Sequence, residues 1–128
     1  MVKDIIIEGT PNTPTVRLIS TQGIIELIGR SIPENPYDFY SPVKKWLDEY
    51  SLSPKKLTIV NVKLEYFNTS SSKLLLTFFK TLEDMNNNGS KIEINWYFEE
   101  NDEDMQEAGE DYNAIIKIPF NIIKVTSF

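Results

Sequence analysis

The sequence predicts an α/β fold at the border with α+β. It should form one domain, residues 1–128, with a single mixed sheet of about five to six strands and two to three helices. Three observations carry this. Strand, helix and strand patterns alternate between residues 57 and 98, a crossover unit that implies parallel neighbours and a right-handed connection. Short apolar runs near the N-terminus are divided by turn residues, as in hairpins. The length of 128 residues suits one core burying roughly two thirds of the unfolded surface, and no repeat, linker or low-complexity tract interrupts it.

Taken in order, DIIIEG, TVRLIS and GIIELIG read as short strands, with a tight hairpin at STQG (20–23). Residues 31–42, SIPENPYDFYSP, carry three prolines and predict a rigid, non-helical connection. Ser41 would cap a helix with Pro42 in its first turn, followed by Val43, Trp46, Leu47 and Tyr50 on one face. In LTIVNVKLEYF (57–67), Val60, Val62, Leu64 and Tyr66 alternate with Asn61, Lys63 and Glu65, so one face is buried. The next helix carries Leu74, Leu75, Phe78, Phe79, Leu82 and Met85 as an apolar stripe and ends at NNNG (86–89), with Gly89 or an asparagine in the left-handed cap. KIEINWYF (91–98) alternates again. An acidic helix over 102–112, capped by Asn101, points Met105, Ala108 and Tyr112 inward, and the chain closes with AIIKIPF and a short apolar tail.

Composition narrows the function. Nineteen acidic against thirteen basic residues give a net charge of -6, and only Arg17 and Arg30 are arginines. That is a poor electrostatic footprint for nucleic acid or anionic lipid. With no cysteine there is no disulfide framework or thiol nucleophile, and with no histidine the usual general base and commonest metal ligand are missing. The acidic run EENDEDMQEAGED (99–111) lacks the glycine and distal glutamate of a calcium loop in register, so no metal or other cofactor is expected. Apolar clusters fall far short of a membrane span, and the N-terminus has no signal-peptide core; a cytoplasmic protein is the expectation.

The candidate site is NTSSSK (68–73), four hydroxyl residues at a strand-to-helix junction, where sites of such sheets form. Asn68 or Thr69 can cap the helix. The free N–H groups and positive helix end also favour an anion, and a hydroxyl there suits covalent phosphorylation. A P-loop is excluded because its glycines and Gly-Lys pair are absent. The aromatics Tyr37, Phe39 and Tyr40 are too closely spaced for all to point inward from one extended segment, so this stretch is a candidate recognition surface.

SxPENPxxFYxP (Ser31 to Pro42), the tryptophan of KKWL, YFNTSSSK and WYFEENDEDMQEAGED together resemble the SiaC family of bacterial regulatory phosphoproteins. The resemblance begins at GTPNTP (9–14) and covers nearly the whole chain. It implies a STAS-like fold, similar to anti-sigma-factor antagonists, and a switch set by a serine/threonine kinase and a metal-dependent phosphatase. The unphosphorylated form would bind and activate a diguanylate cyclase, raising cyclic-di-GMP and promoting biofilm. The phospho-acceptor implied is Thr69, with Asn68, Ser70, Ser71 and Lys73 around it, while Ser72 falls at a variable position. Beside this site, Pro33, Glu34, Asn35, Tyr37, Phe39 and Tyr40 are the candidate partner surface, with core packing of the aromatics as the alternative. Alternatives are an anti-sigma-antagonist-type regulator of a different partner, a small hydroxyl- or carboxylate-based enzyme, and a module that oligomerises through its apolar tail. The lack of histidine argues against the enzyme, because an unactivated hydroxyl is a weak nucleophile.

Overall fold

In a computed structural model describing residues 2–128, six strands form one sheet in sequence order, and three helices complete the domain. The strands are β1 (Ile5–Ile7), β2 (Thr15–Ile19), β3 (Ile24–Ser31), β4 (Leu57–Phe67), β5 (Lys91–Glu99) and β6 (Phe120–Val125). The helices are α1 (Pro36–Tyr50), α2 (Thr69–Asn87) and α3 (Glu103–Ile115). β1, β2 and β3 pair antiparallel, and β3 to β6 pair parallel, so the sheet is mixed as expected. Residues 120–125 of the apolar tail form β6, paired with β5 at the edge of the sheet.

The helices cover one face. Val16, Leu18, Ile25, Leu27, Val60, Val62, Leu64, Ile92, Ile94 and Trp96 are buried against them. Beneath α2 and α3 the rings of Phe79, Trp96, Tyr112 and Phe120 pack edge-to-face or tilted, an arrangement worth about 0.5–1.5 kcal/mol per pair beyond area burial. Gly109 lets α3 lie on this cluster: a Cβ there would sit 2.5 Å from Trp96 Cδ1. The indole Nε1 donates to the Met105 carbonyl at 2.9 Å.

The opposite face carries a row of polar side chains running in register across five strands. Arg17 Nη1 donates to Glu26 Oε1 (2.6 Å) and Asn61 Nδ2 to Glu26 Oε2 (2.9 Å). Asn95 Nδ2 donates to Asn61 Oδ1 (3.1 Å), and Asn121 Nδ2 to Asn95 Oδ1 (3.0 Å). Burial alone would raise the Glu26 carboxyl's pKa. The hydrogen bonds from Asn61 and Arg17, with the charges of Arg17 and Lys63, outweigh it and hold the carboxyl below its ordinary value.

Several expected boundaries move. Residues 36–42 are helical: Asn35, not Ser41, caps α1 by accepting from the Asp38 N–H at 3.1 Å, with Pro36 opening the helix. The Asn-Pro pair is the same cap signal as Ser41-Pro42, one and a half turns earlier. Pro42 lies inside α1 on its exposed side, as does Asp38, whose carbonyl loses its helical partner there. Asp102, not Asn101, caps α3, accepting from Met105 N–H at 3.1 Å, while Asn101 takes the left-handed conformation (φ 75°) of the preceding turn. Tyr66 does not continue the buried face. Glu65 is an extra residue in β4, since Gly29 pairs with Leu64 and Arg30 with Tyr66. Alternation therefore resets, turning Tyr66 outward under the Arg30 guanidinium and Phe67 inward onto Trp96.

Candidate functional site

The bulge at Glu65 aims the end of β4 into the helical layer, and α2 starts at Thr69, two residues after Phe67, the last residue of β4 paired with β3. Asn68 is the N-cap: its Oδ1 accepts from Ser71 N–H at 2.9 Å and its carbonyl from Ser72 N–H at 3.0 Å. Of the two cap candidates, the asparagine takes the role. Thr69 is therefore the first helical residue, and its N–H and that of Ser70 lie among the donors a helix start leaves free.

The hydroxyls part ways. Thr69 and Ser70 are exposed. Ser71 is fully buried, and Ser31 Oγ donates to its Oγ at 3.0 Å. Ser72 Oγ turns back to donate to the Thr69 carbonyl at 2.6 Å. Lys73 is exposed one turn beyond Thr69, on the same ridge of the helix. A phosphoryl group on Thr69 would thus stand in solvent, at the positive end of α2, with an ammonium in the neighbouring turn.

The segment expected to meet a partner splits. Glu34, Asn35 and Tyr37 are exposed, Tyr37 at 68%, and Phe39 is half-buried with its ring edge-on to Tyr40. Pro33 and Tyr40 are buried and leave the candidate contact surface. Tyr37 and Tyr40 are one turn apart on neighbouring positions of α1, but Tyr37 stands exposed at the open start of the helix and Tyr40 is buried. Tyr40 instead reaches under α2, its hydroxyl 2.6 Å from Ser31 Oγ. Between α1 and α2 runs an apolar groove of about 110 Å³, lined by Tyr37, Leu47, Leu74, Thr77 and Phe78.

Two residues that hold the first turn of α2 escape sequence reasoning. Ser31 holds α2 twice, by its side chain on Ser71 and by its carbonyl, which accepts from Asn68 N–H at 3.2 Å. Tyr112 of α3 donates its hydroxyl to the Ser72 carbonyl at 2.9 Å. Burial, and next the charges of Tyr40 and Asp111, raise the Tyr112 phenol's pKa; burial pushes that of Tyr40 up to about 12 against the lowering effect of Ser31. Both phenols stay neutral near pH 7. The turn at GTPNTP joins the same end of the sheet, where the Asn12 carbonyl accepts from Ile32 N–H at 2.9 Å.

An uncharacterized protein of Pseudomonas aeruginosa (strain UCBPP-PA14) is 26% identical over 121 residues, covering 94% of this chain and 96% of its own length. The structure of SiaC of Pseudomonas aeruginosa superposes with a TM-score of 0.90 at 25% identity, covering 97% of this chain and 100% of that one. A chain in the crystal structure of the diguanylate cyclase SiaD in complex with its activator SiaC, also from Pseudomonas aeruginosa, matches with a TM-score of 0.90 at 26% identity, covering 95% of this chain and 100% of that one. The model of the SiaC family of regulatory phosphoproteins matches residues 7–125, and with nearly the whole sequence inside that match the chain belongs to this family.

Proposed function

We propose that this protein is a non-enzymatic switch whose unphosphorylated form binds and activates a diguanylate cyclase, and that phosphorylation of Thr69 by a serine/threonine kinase blocks binding until a phosphatase removes the phosphate. The observation that carries the reading is the sorting of the hydroxyls. Ser71 is buried and Ser72 is bound to its own helix, which leaves Thr69 and Ser70 exposed where backbone donors and Lys73 favour an anion, and the family resemblance selects Thr69 of the two. The relative of matching fold that is the activator of a diguanylate cyclase supports the choice of partner. The exposed Glu34, Asn35 and Tyr37, with the first turn of α2, are the surface offered to it.

A binding role also suits the chemistry of the chain. It has no histidine or cysteine, and burial holds the Tyr40 and Tyr112 phenols protonated, so none of these groups serves Thr69 as a base. The test is reconstitution with a diguanylate cyclase and GTP. Unphosphorylated protein should raise cyclic-di-GMP synthesis, and the Thr69 phosphoform should not. Stimulation by both forms refutes the switch, and stimulation by neither moves the protein to another class of partner.

A further inference from the structure

The first turn of α2 is gripped from both sides by buried tyrosines. From α1, the Tyr40 hydroxyl lies 2.6 Å from Ser31 Oγ, which donates to Ser71 Oγ at 3.0 Å. Ser31 has one hydroxyl proton and gives it to Ser71, so Tyr40 must donate to Ser31. The chain runs one way, from Tyr40 through Ser31 to Ser71, and each bond polarises the next. From α3, Tyr112 donates to the Ser72 carbonyl at 2.9 Å. Ser31, Tyr40 and Ser71 are 0%, 4% and 0% exposed, so water does not compete for the bonds among them, and Tyr112 is 8% exposed.

Helix ends fray, and a frayed turn here would present four consecutive hydroxyls to a kinase. Phosphoryl transfer needs the acceptor oxygen in line with the phosphorus and the leaving oxygen, so positioning decides which hydroxyl reacts. We infer that Tyr40, acting through Ser31, and Tyr112 are positioning residues that lock the first turn of α2 and thereby keep the buried Ser71 hydroxyl from the kinase that phosphorylates Thr69. This rests on Thr69 being the acceptor. In the reaction, Thr69 Oγ1 attacks the γ-phosphorus of a nucleoside triphosphate. The new O–P bond forms as the bridging P–O bond breaks, the nucleoside diphosphate leaves with the electron pair, and the hydroxyl proton passes to the kinase's base.

The PENPYDFY segment thereby gains a second role: its exposed end faces outward at Tyr37 while its buried end, Tyr40, holds the phosphosite in shape.

The test uses the full chain and the variants Tyr40→Phe, Tyr112→Phe and both together, which keep ring volume and remove only the hydroxyls. Each is treated with purified cognate kinase and ATP, and the phosphate is located by fragmentation mass spectrometry. Amide exchange at Ser71 and Ser72 is measured in parallel without kinase. The wild type should carry one phosphate, on Thr69. The double variant should spread phosphate onto Ser71 and exchange the Ser71 and Ser72 amides roughly tenfold faster, with β4 and β5 amides unchanged. Phosphate confined to Thr69 at the wild-type rate in every variant, or unaltered exchange at Ser71 and Ser72, overturns the inference. A wild type phosphorylated elsewhere refutes the acceptor assignment instead, and the exchange data then decide the bracket alone.

Discussion

The hydroxyl of Tyr112, on the helix before the last strand, donates at 2.9 Å to the carbonyl of Ser72, 40 residues earlier in the first turn of α2. The turn bearing the candidate phosphosite is therefore part of the packed layer on its inner side and open to solvent only on its outer side.

Thr69→Ala should abolish phosphorylation and leave the fold untouched. Asn68, not Thr69, is the cap, so Thr69 is an exposed first-turn residue whose replacement changes stability by no more than about 0.5 kcal/mol. Intact mass after kinase treatment, paired with a thermal melt, checks both halves.

Asn68→Ala should cost more. It strips the Ser71 N–H of its 2.9 Å acceptor at a half-buried position, a loss of about 0.5–2 kcal/mol. Denaturant titration should show a lower midpoint with an unchanged slope; an unshifted midpoint would mean that the Ser31 and Tyr112 contacts hold the turn without its cap.

Phosphorylation should leave the protein folded and change only what it binds. The phosphate adds nearly two negative charges to a chain of net charge -6, at an exposed residue beside a favourable dipole. Like-charge repulsion and desolvation of that phosphate against a partner that cost about 3 kcal/mol would weaken binding more than a hundredfold. The two forms should share a melting temperature and circular dichroism spectrum yet differ in partner affinity. Unfolding on phosphorylation, or equal affinities, would refute this mechanism.

Gly109→Ala should destabilise by about 1–3 kcal/mol, because its methyl would meet the fully buried Trp96 ring 2.5 Å away. The shifted ring should also change Trp96 fluorescence. A neutral result would show that α3 rises off the sheet at no cost.

Acid should weaken the fold partly through Glu26. Its folded pKa is depressed, so its contribution is present above the ordinary value of 4.5 and fades as pH falls through the lower folded value. Glu26→Gln should flatten stability against pH in that acid range while changing the slope little near neutrality. An unchanged acid slope would show that Arg17 and Asn61 do not favour the carboxylate.

Much of the fold was legible because it rests on local periodicity. Alternation over β4 and β5 and the stripe from Leu75 to Met85 on α2 need only the side-chain repeats of strand and helix. The strand-to-helix junction placed NTSSSK at the right end of the sheet, and an asparagine three residues before a serine N–H is a local cap signal. Less was legible in α1 and α3, where two cap signals lie close together and local rules rank them equally. Pairing and packing chose Asn35 over Ser41 and Asp102 over Asn101.

The sequence by itself determined the element order, the buried stripe of each long element, the family and the exposed hydroxyl at the start of α2, because each depends on residues within a turn or two of one another. Only the tertiary structure decided the bulge at Glu65 that turns Phe67 inward, the asparagine row from Asn61 to Asn121, and the seat for Trp96 on Gly109. It alone also decided that Tyr40, Ser31 and Tyr112 hold the turn that Thr69 begins. These join residues on different strands and helices, where the contact exists only after the sheet has set its register and the helices have settled on it.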